Sequence, residues 1–316
     1  MKNSLKVRLF KDKDLRYVIK LIRDSDHTNR TINSWLQNNM TAILALKDNL
    51  LIGAIPFEQH NIKLSSNKYI EGLWVSGAFI KSKYRSLGIG SLLDSEVKKL
   101  IPKKKIIMVM RHDEGTPAYR WYIKNNYSVV SEILSLKMSV IKNNLEYSKN
   151  YKILKVSEIR KYSKELIKIF EFHNNNKQNF PKRFLNSWEN RMLFHYYKKF
   201  YKFYIILNTL KSGQKSFAVL GETSIKDNIP RIDILEISSS INKKDFKNLI
   251  DKIHHFSNKI GVKEVRTQVA SCDELKDLFI NYGFIERWKT NLMSKKLNKE
   301  IIIYKNKTRF FQIDYI

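Results

Sequence analysis

The chain has 316 residues, with 59 Lys and Arg against 30 Asp and Glu, and a formal net charge of +29. Hydrophobic residues make up 43% of it and aromatics 12%, enough apolar surface for packed cores, which excludes a disordered polycation. One cysteine, Cys272, excludes an internal disulfide framework and a cysteine-built zinc site. The length suits two domains. No uncharged apolar run approaches the ~20 residues of a membrane span. The basic start Met1-Lys2-Asn3 is not followed by the apolar core of a signal peptide, so a cytoplasmic protein is expected.

In chain order, residues 5–10 read as a strand. Leu15, Val18, Ile19 and Ile22 mark a helix, and a second helical piece is expected near residues 31–37. Residues 42–46 and 51–57 are strands joined by the turn signal Asp48-Asn49, so they should pair as a hairpin. A further strand covers 69–80. Ile89, Leu93, Val97 and Leu100 share one face of a helix over 88–100, which Pro102 ends. An apolar strand at 106–110, a helix at 117–125 and a strand at 127–140 complete the first half. The second half repeats this order: strand 151–156, helix 157–172, strands 202–208, 216–222 and 231–238, helix 245–259 closed by Gly261, strand 262–270, helix 273–281 and strand 285–294. Of the adjacent His254 and His255, one ring is expected buried and the other exposed.

The repeated order implies an internal duplication. Locally, Tyr122-Ile123-Lys124-Asn125-Asn126-Tyr127 parallels Phe279-Ile280-Asn281-Tyr282-Gly283-Phe284. In each, a helix ends on a residue that tolerates left-handed geometry and an aromatic enters the next strand. The expected division is residues 1–143 as one domain, 151–297 as its copy, and 298–316 as a tail that alternates Lys with Ile, Tyr and Phe and could add a strand to a sheet edge.

The chemistry concentrates in a buried strand, a basic turn, two glycines and a helix, Leu73 through Leu93. Glycines there let backbone N–H groups approach a ligand closely, and the helix N-terminus adds about half a positive charge. Together they suit a pyrophosphate. The spacing is neither the dinucleotide fingerprint nor the Walker pattern. It resembles the Arg/Gln-x-x-Gly-x-Gly/Ala motif of the GNAT acyltransferase superfamily, here Arg85-Ser86-Leu87-Gly88-Ile89-Gly90, with Ser82 where a proline is common. Downstream, Ala118-x-x-x-Tyr122-x-x-x-Asn126-Tyr127 resembles the family's Ala-x-x-x-Tyr-x-x-x-Gly-Phe signature. Asn126-Tyr127 replaces its Gly-Phe, and Gly115 stands where an Asn is frequent. The resemblance covers about residues 5–140.

The resemblance implies an α+β fold, here two tandem domains, each a mixed twisted sheet flanked by helices. It also implies an N-acetyltransferase that uses acetyl-CoA as acyl donor. The backbone of Arg85, Ser86, Leu87, Gly88, Ile89, Gly90 and Ser91 would hold the pyrophosphate. The pantetheine arm would lie along Phe79 and Ile80, with a backbone N–H there for the oxyanion. Tyr122, protonated at neutral pH, would donate a proton to the departing thiolate; read without the motif, it is a core aromatic on an amphipathic helix. For the base, Glu71 and Glu114 are the candidates, with His112 and Asp113 beside the latter; a solvated loop carboxylate is the commoner fate of each. These neighbours do not present one coordination face, so no metal is expected.

In the second half the matching loop, Ser238-Ser239-Ser240-Ile241-Asn242-Lys243-Lys244-Asp245-Phe246, has no glycine, and Phe279 replaces Tyr122. That half is expected to bind no coenzyme. The acceptor is expected to be a small amine-bearing molecule, with the charge tilting toward an anionic one such as a nucleotide-linked amino sugar. Acylation of a protein or aminoacyl-RNA is the alternative. A non-enzymatic nucleic-acid module on the same fold is a further alternative, disfavoured because the glycine loop and Tyr122 are intact and the lysines are spread along the whole chain, as A- and T-rich coding would leave them.

Overall fold

The computed structural model describes residues 5–24, 41–63, 69–75, 77–101, 106–112, 114–141, 151–175, 201–209, 215–223, 230–237 and 242–297. The helical piece expected at 31–37, Asp113, residues 238–241 of the second-half loop, most of the linker and the tail lie outside these.

The first half runs β1 (Leu5–Leu9), α1 (Leu15–Arg23), β2 (Thr41–Lys47), β3 (Leu50–Lys63), β4 (Tyr69–Val75), β5 (Phe79–Ile80), α2 (Ile89–Leu100), β6 (Ile106–His112), α3 (Pro117–Lys124) and β7 (Ser128–Ser139). The second runs β8 (Tyr151–Lys155), α4 (Ser163–Asn175), β9 (Tyr201–Thr209), β10 (Lys215–Thr223), β11 (Arg231–Ile237), α5 (Lys243–Lys259), β12 (Glu264–Ala270), α6 (Glu274–Tyr282) and β13 (Ile285–Lys296). The element order repeats as the sequence predicts. The β2–β3 hairpin turns on Asp48 and Asn49, both at positive φ (50° and 63°), with Lys47 opposite Leu50. That is the two-residue turn whose twist matches the strands it joins.

Two stretches differ from their expected form. The strand predicted over 69–80 is broken. β4 pairs with the outer part of β3 and β5 with Gly53 and Ala54, and Gly77 at φ 141° sits in the interruption. Pro56 of β3 lies opposite this break, where its missing N–H costs no ladder bond. The helix predicted from 157 begins as a 3-10 turn over Val156–Tyr162, closed by the Lys155 N–H donating to Glu158 at 2.8 Å, before α4 starts.

All strands join one 13-stranded mixed sheet in the order β1-β2-β3-β4-β6-β13-β7-β12-β11-β10-β9-β8, with β5 beside β3. The two halves exchange their last strands. β13 of the second half lies between β6 and β7 of the first, antiparallel to both, and β7 in turn pairs with β12. Each core therefore contains a strand from the other half. Met293 of β13 packs with Ile89, Leu93, Ile107, Tyr122 and Tyr127, while Leu134 and Leu136 of β7 pack with α5, α6 and β10–β12. α2, α3, α5 and α6 cover one face of the sheet, and α1 packs on the other against Ala42, Leu44, Ala54 and Phe79. Where β7 leaves the sheet, the His254 Nε2 on α5 accepts the Ile141 N–H at 3.0 Å. His254 and His255 are both half-buried, because the helix turns its two adjacent rings obliquely to the sheet rather than one inward and one outward.

Candidate active site

α2 has an unusual start. Its N-cap is Gly88 (φ 77°), which has no side chain to close the helix, and no acidic residue stands in its first turn. Two residues earlier Ser86 also takes a positive φ, 62°, a conformation that costs a non-glycine residue about 1–2 kcal/mol. Left-handed residues alternating through such a turn aim backbone N–H groups into a common concavity. The first-turn N–H groups of α2 add to it, since none of them has an intrahelical acceptor.

This turn opens on a cleft of about 470 Å³ lined by Phe79, Ile80, Tyr84, Arg85, Ser86, Gly88, Ile89, Gly90, Ser91, Trp121, Tyr122 and Lys124, with Ala78 and Ala118. Among the described residues its charged lining is Arg85 and Lys124, with no carboxylate. The Arg85 Nε donates to the Ile80 carbonyl at 3.1 Å, tying the turn to the end of β5. Lys83 and Lys47 lie 5.0 and 5.9 Å from the centre of the Tyr84 ring, so the rim is cationic too. The described lining therefore favours an anion by backbone dipole and side-chain charge.

Gly90 is needed for a different reason. A Cβ there would stand 3.3 Å from three atoms of the Trp121 indole, whose Nε1 donates to the Ser91 Oγ at 3.2 Å. Trp121 in turn meets Tyr122 edge-on at 4.6 Å, and Tyr122 meets Tyr127 edge-on at 4.8 Å. Tyr122 is 2% exposed and forms part of the cleft wall. The far end of this aromatic row is anchored by charge. The Tyr127 hydroxyl donates to Asp94 Oδ1 at 2.8 Å, and the ammonium of Lys295, from β13, pairs with Asp94 Oδ2. The second half thus reaches, through Lys295, the helix that opens the cleft.

Of the residues singled out in the sequence, Phe79, Ile80, Arg85, Ser86, Gly88, Ile89, Gly90, Ser91 and Tyr122 come together here. Leu87 is exposed on the turn and does not line the cleft. Glu71, exposed on β4, and Glu114, exposed ahead of α3, are not among the lining residues either. The charge of Glu114 acts instead on Lys289 of β13, which pairs with Glu132 at 2.9 Å. Trp121 and Lys124 were missed. They sit inside the second signature, and a glycine one helix away was the available sign that a large ring packs there.

The second half repeats the frame without the cleft's features. Asn126 N–H donates to Ile123 O and Gly283 N–H to Ile280 O, each at 3.0 Å. Phe279 meets Phe284 edge-on at 4.9 Å, as Tyr122 meets Tyr127. The start of α5, however, is capped from within: the Asn242 side chain accepts the Asp245 N–H at 3.0 Å, and the Asp245 carboxylate occupies the first turn.

No protein-family model matches the chain, and no curated protein matches it. Solved structures do. A tandem GNAT protein from the clavulanic acid biosynthesis pathway superposes with a TM-score of 0.61 at 9% identity, over 94% of this chain and 100% of that one. The chain has a GNAT fold. A GCN5-related N-acetyltransferase from Anabaena variabilis gives a TM-score of 0.69 at 11% identity, over 93% of this chain and 73% of that one. The Saccharomyces cerevisiae N-myristoyltransferase with bound myristoyl-CoA gives 0.61 at 8% identity, over 98% and 85%. The GNAT fold here is the doubled α+β form expected from the sequence, with its two mixed sheets made continuous by the strand exchange. Among the described residues no helix is long and apolar enough to cross a membrane.

Proposed function

We propose that the chain is an acetyl-CoA-dependent N-acetyltransferase acting on the primary amine of a small, anionic acceptor, of which a nucleotide-linked amino sugar is an example. The observation that carries this reading is the uncapped, glycine-opened start of α2 facing a cleft whose described charged residues are Arg85 and Lys124 and whose wall includes Tyr122. The N–H groups of Ile89, Gly90 and Ser91, with Arg85 and Lys124, hold the donor's pyrophosphate. The acyl-bearing arm lies along Phe79 and Ile80, where a backbone N–H stabilises the oxyanion. The neutral amine attacks the thioester carbon, the carbon–sulfur bond breaks, and Tyr122 gives its proton to the departing thiolate. The amine's own proton leaves through water toward Glu71 or Glu114.

The second half, residues 151–297, binds no donor on this reading. Its helix start is already satisfied by Asn242 and Asp245, and Phe279 has no proton to give. Residues 1–143 carry the chemistry, completed by β13. Calorimetric titration with acetyl-CoA tests this directly, with one site per chain expected. Two sites would overturn the inert second half, and none would overturn the enzyme. Tyr122→Phe is expected to lower kcat about a hundredfold while acetyl-CoA affinity stays unchanged. Mass analysis of amino sugars, polyamines, amino acids and peptides after incubation with enzyme and acetyl-CoA identifies the acceptor class.

A further inference from the structure

The sheet face opposite α5 and α6 carries a group of charges that the proposed chemistry does not use. On β11, Ile232 and Ile234 point into the core, so Arg231 and Asp233 fall on the other face. On β12, Val265 and Val269 are core, so Glu264 and Arg266 share that other face; on β7 the same alternation puts Lys137 there. The register sets them side by side, Arg231 opposite Glu264, Asp233 opposite Arg266, and Arg266 opposite Lys137. Arg266 pairs with Glu264, which also lies 3.7 Å from Lys137, and Arg231 lies 3.7 Å from Asp233. Arg287 of β13 joins them. It occupies a bulge between Glu286 and Trp288, the kind of irregularity that re-aims a side chain, and it feels Arg266 and Arg231 as well as the two carboxylates. Four cations thus face two carboxylates, and Arg287 makes no salt bridge among the described residues.

The location ties this group to the cleft. β4 and β6 are parallel, and the antiparallel steps through β13 and β7 put the C-terminal ends of β4 and β6 at the same end of the sheet as the starts of β11, β12 and β13. β4 and β6 pair only from Gly72–Ile106 to Trp74–Met108, and β5 then leaves to join β3, so the two strands part towards their C-terminal ends. The donor cleft lies on the α2–α3 face; on the reading above, the acceptor reaches it from the other face, past the parted ends of β4 and β6. On that face Thr290 lies in register with His112 at the end of β6, and its buried hydroxyl has no hydrogen-bond partner among the described residues. From β6 to β12 is three strand spacings, about 14 Å.

We infer that Arg287, with Arg266 and Lys137, binds an oxyanion of the acceptor, a phosphate or a carboxylate, held about 10–20 Å from the amine to be acylated. Thr290 lies on the path between the two ends and offers a hydroxyl to the acceptor's middle. Arg287 suits this role because its planar fork takes two oxygens at once, and an incoming anion relieves its placement beside other guanidiniums. The inference rests on the acceptor reading above and gives its anionic group a place.

The test uses the full chain and three probe series of increasing length: ω-aminoalkyl phosphates, ω-aminoalkyl carboxylates and the corresponding plain alkylamines. Calorimetry is expected to show an anion-bearing probe of suitable length binding about tenfold more tightly than its plain counterpart. Arg287→Gln should abolish that preference, and Arg287→Lys should keep only part of it, with acetyl-CoA affinity unchanged in both. The phosphate and carboxylate arms decide between the two anions. Equal affinity for charged and plain probes, or a preference that survives Arg287→Gln, overturns the site. Should the variant fail to fold, the salt dependence of the wild-type preference replaces it, and a preference insensitive to salt is the overturning result. Absence of acetyl-CoA binding with the anion preference intact would instead overturn the enzyme reading and leave the anion site standing.

Discussion

The contact between Lys295 and Asp94 is where the second half holds the first, and its removal has a calculable cost. The Asp94 side chain is 2% exposed and that of Lys295 18%. Lys295→Met keeps most of the stem's apolar packing and deletes the charge. Among the described residues Asp94 then retains only the Tyr127 hydroxyl for a carboxylate almost out of water. Breaking a buried pair from one side costs 3–5 kcal/mol, and the partial exposure of Lys295 places this one at the low end, about 3 kcal/mol. For a chain of this size that is roughly 4–5 °C in Tm. Asp94→Asn combined with Lys295→Met removes the stranded charge and keeps an acceptor for Tyr127, so the double variant should recover about 2 kcal/mol of the loss. Denaturant unfolding of the four proteins measures the coupling. A single variant within about 0.5 kcal/mol of wild type, or a double variant equal to the sum of the singles, would refute the idea that a buried ion pair fastens β13 to α2.

Three further perturbations bear on other parts of the molecule. Gly90→Ala should leave stability within about 1 kcal/mol, since the helix gains what the indole contact loses, while displacing Trp121 and weakening acetyl-CoA binding about tenfold in calorimetry; unchanged affinity would remove Trp121 from the cleft's function. Burial pushes the His254 imidazole below its ordinary 6.5, so the native state binds fewer protons than the unfolded one, and stability present above about pH 6.5 is lost as pH falls below it. His254→Asn should flatten that decline relative to wild type in urea midpoints taken at neutral and mildly acid pH. Lys252 is 3% exposed, donates to Asn208 Oδ1, and is held below 10.5 by burial. The unfolded state therefore takes up the proton more readily, and stability rises with pH between the folded value and 10.5; Lys252→Met should lose this alkaline gain, and a variant that keeps it would show that another group is responsible.

What the sequence made legible was local. The Asp48-Asn49 turn, the apolar spacing of α2, the glycines ahead of it and the position of Tyr122 are each readable because the chemistry lies within a few residues of the pattern. Period-two alternation marks β13 as a strand equally well, but alternation says nothing of which strand lies beside it. Residues 285–296 find partners at 106–112 and 128–139, and no local rule reaches across such a separation. The same limit hid Trp121, whose role depends on Gly90 standing across the cleft. It hid the break before Gly77 as well, since the apolar residues on both sides read as one strand. The charge of +29 was legible as a number and not as a place; part of it resolves into Arg85 and Lys124 at the cleft and the arginines of β11, β12 and β13.

The exchange of β7 and β13 explains why a half that on this reading binds no donor stays attached. Without β13, β6 and β7 would each expose an edge in the middle of the sheet, Met293 would leave the core around Tyr122, and Asp94 would lose Lys295. Exposed edges of that length invite pairing with other chains. The second half is free to lose its glycines and its tyrosine because neither supports the strand pairing, but it is not free to lose β13. Its surviving sequence then divides by what the exchange demands. Met293 and Lys295 serve the first half's core and its α2. Arg287 and Thr290, one bulge and a few residues away on the same strand, belong to the proposed acceptor site on the opposite face. On the proposed reading, a strand that holds a neighbouring domain together also contributes side chains to that domain's acceptor site.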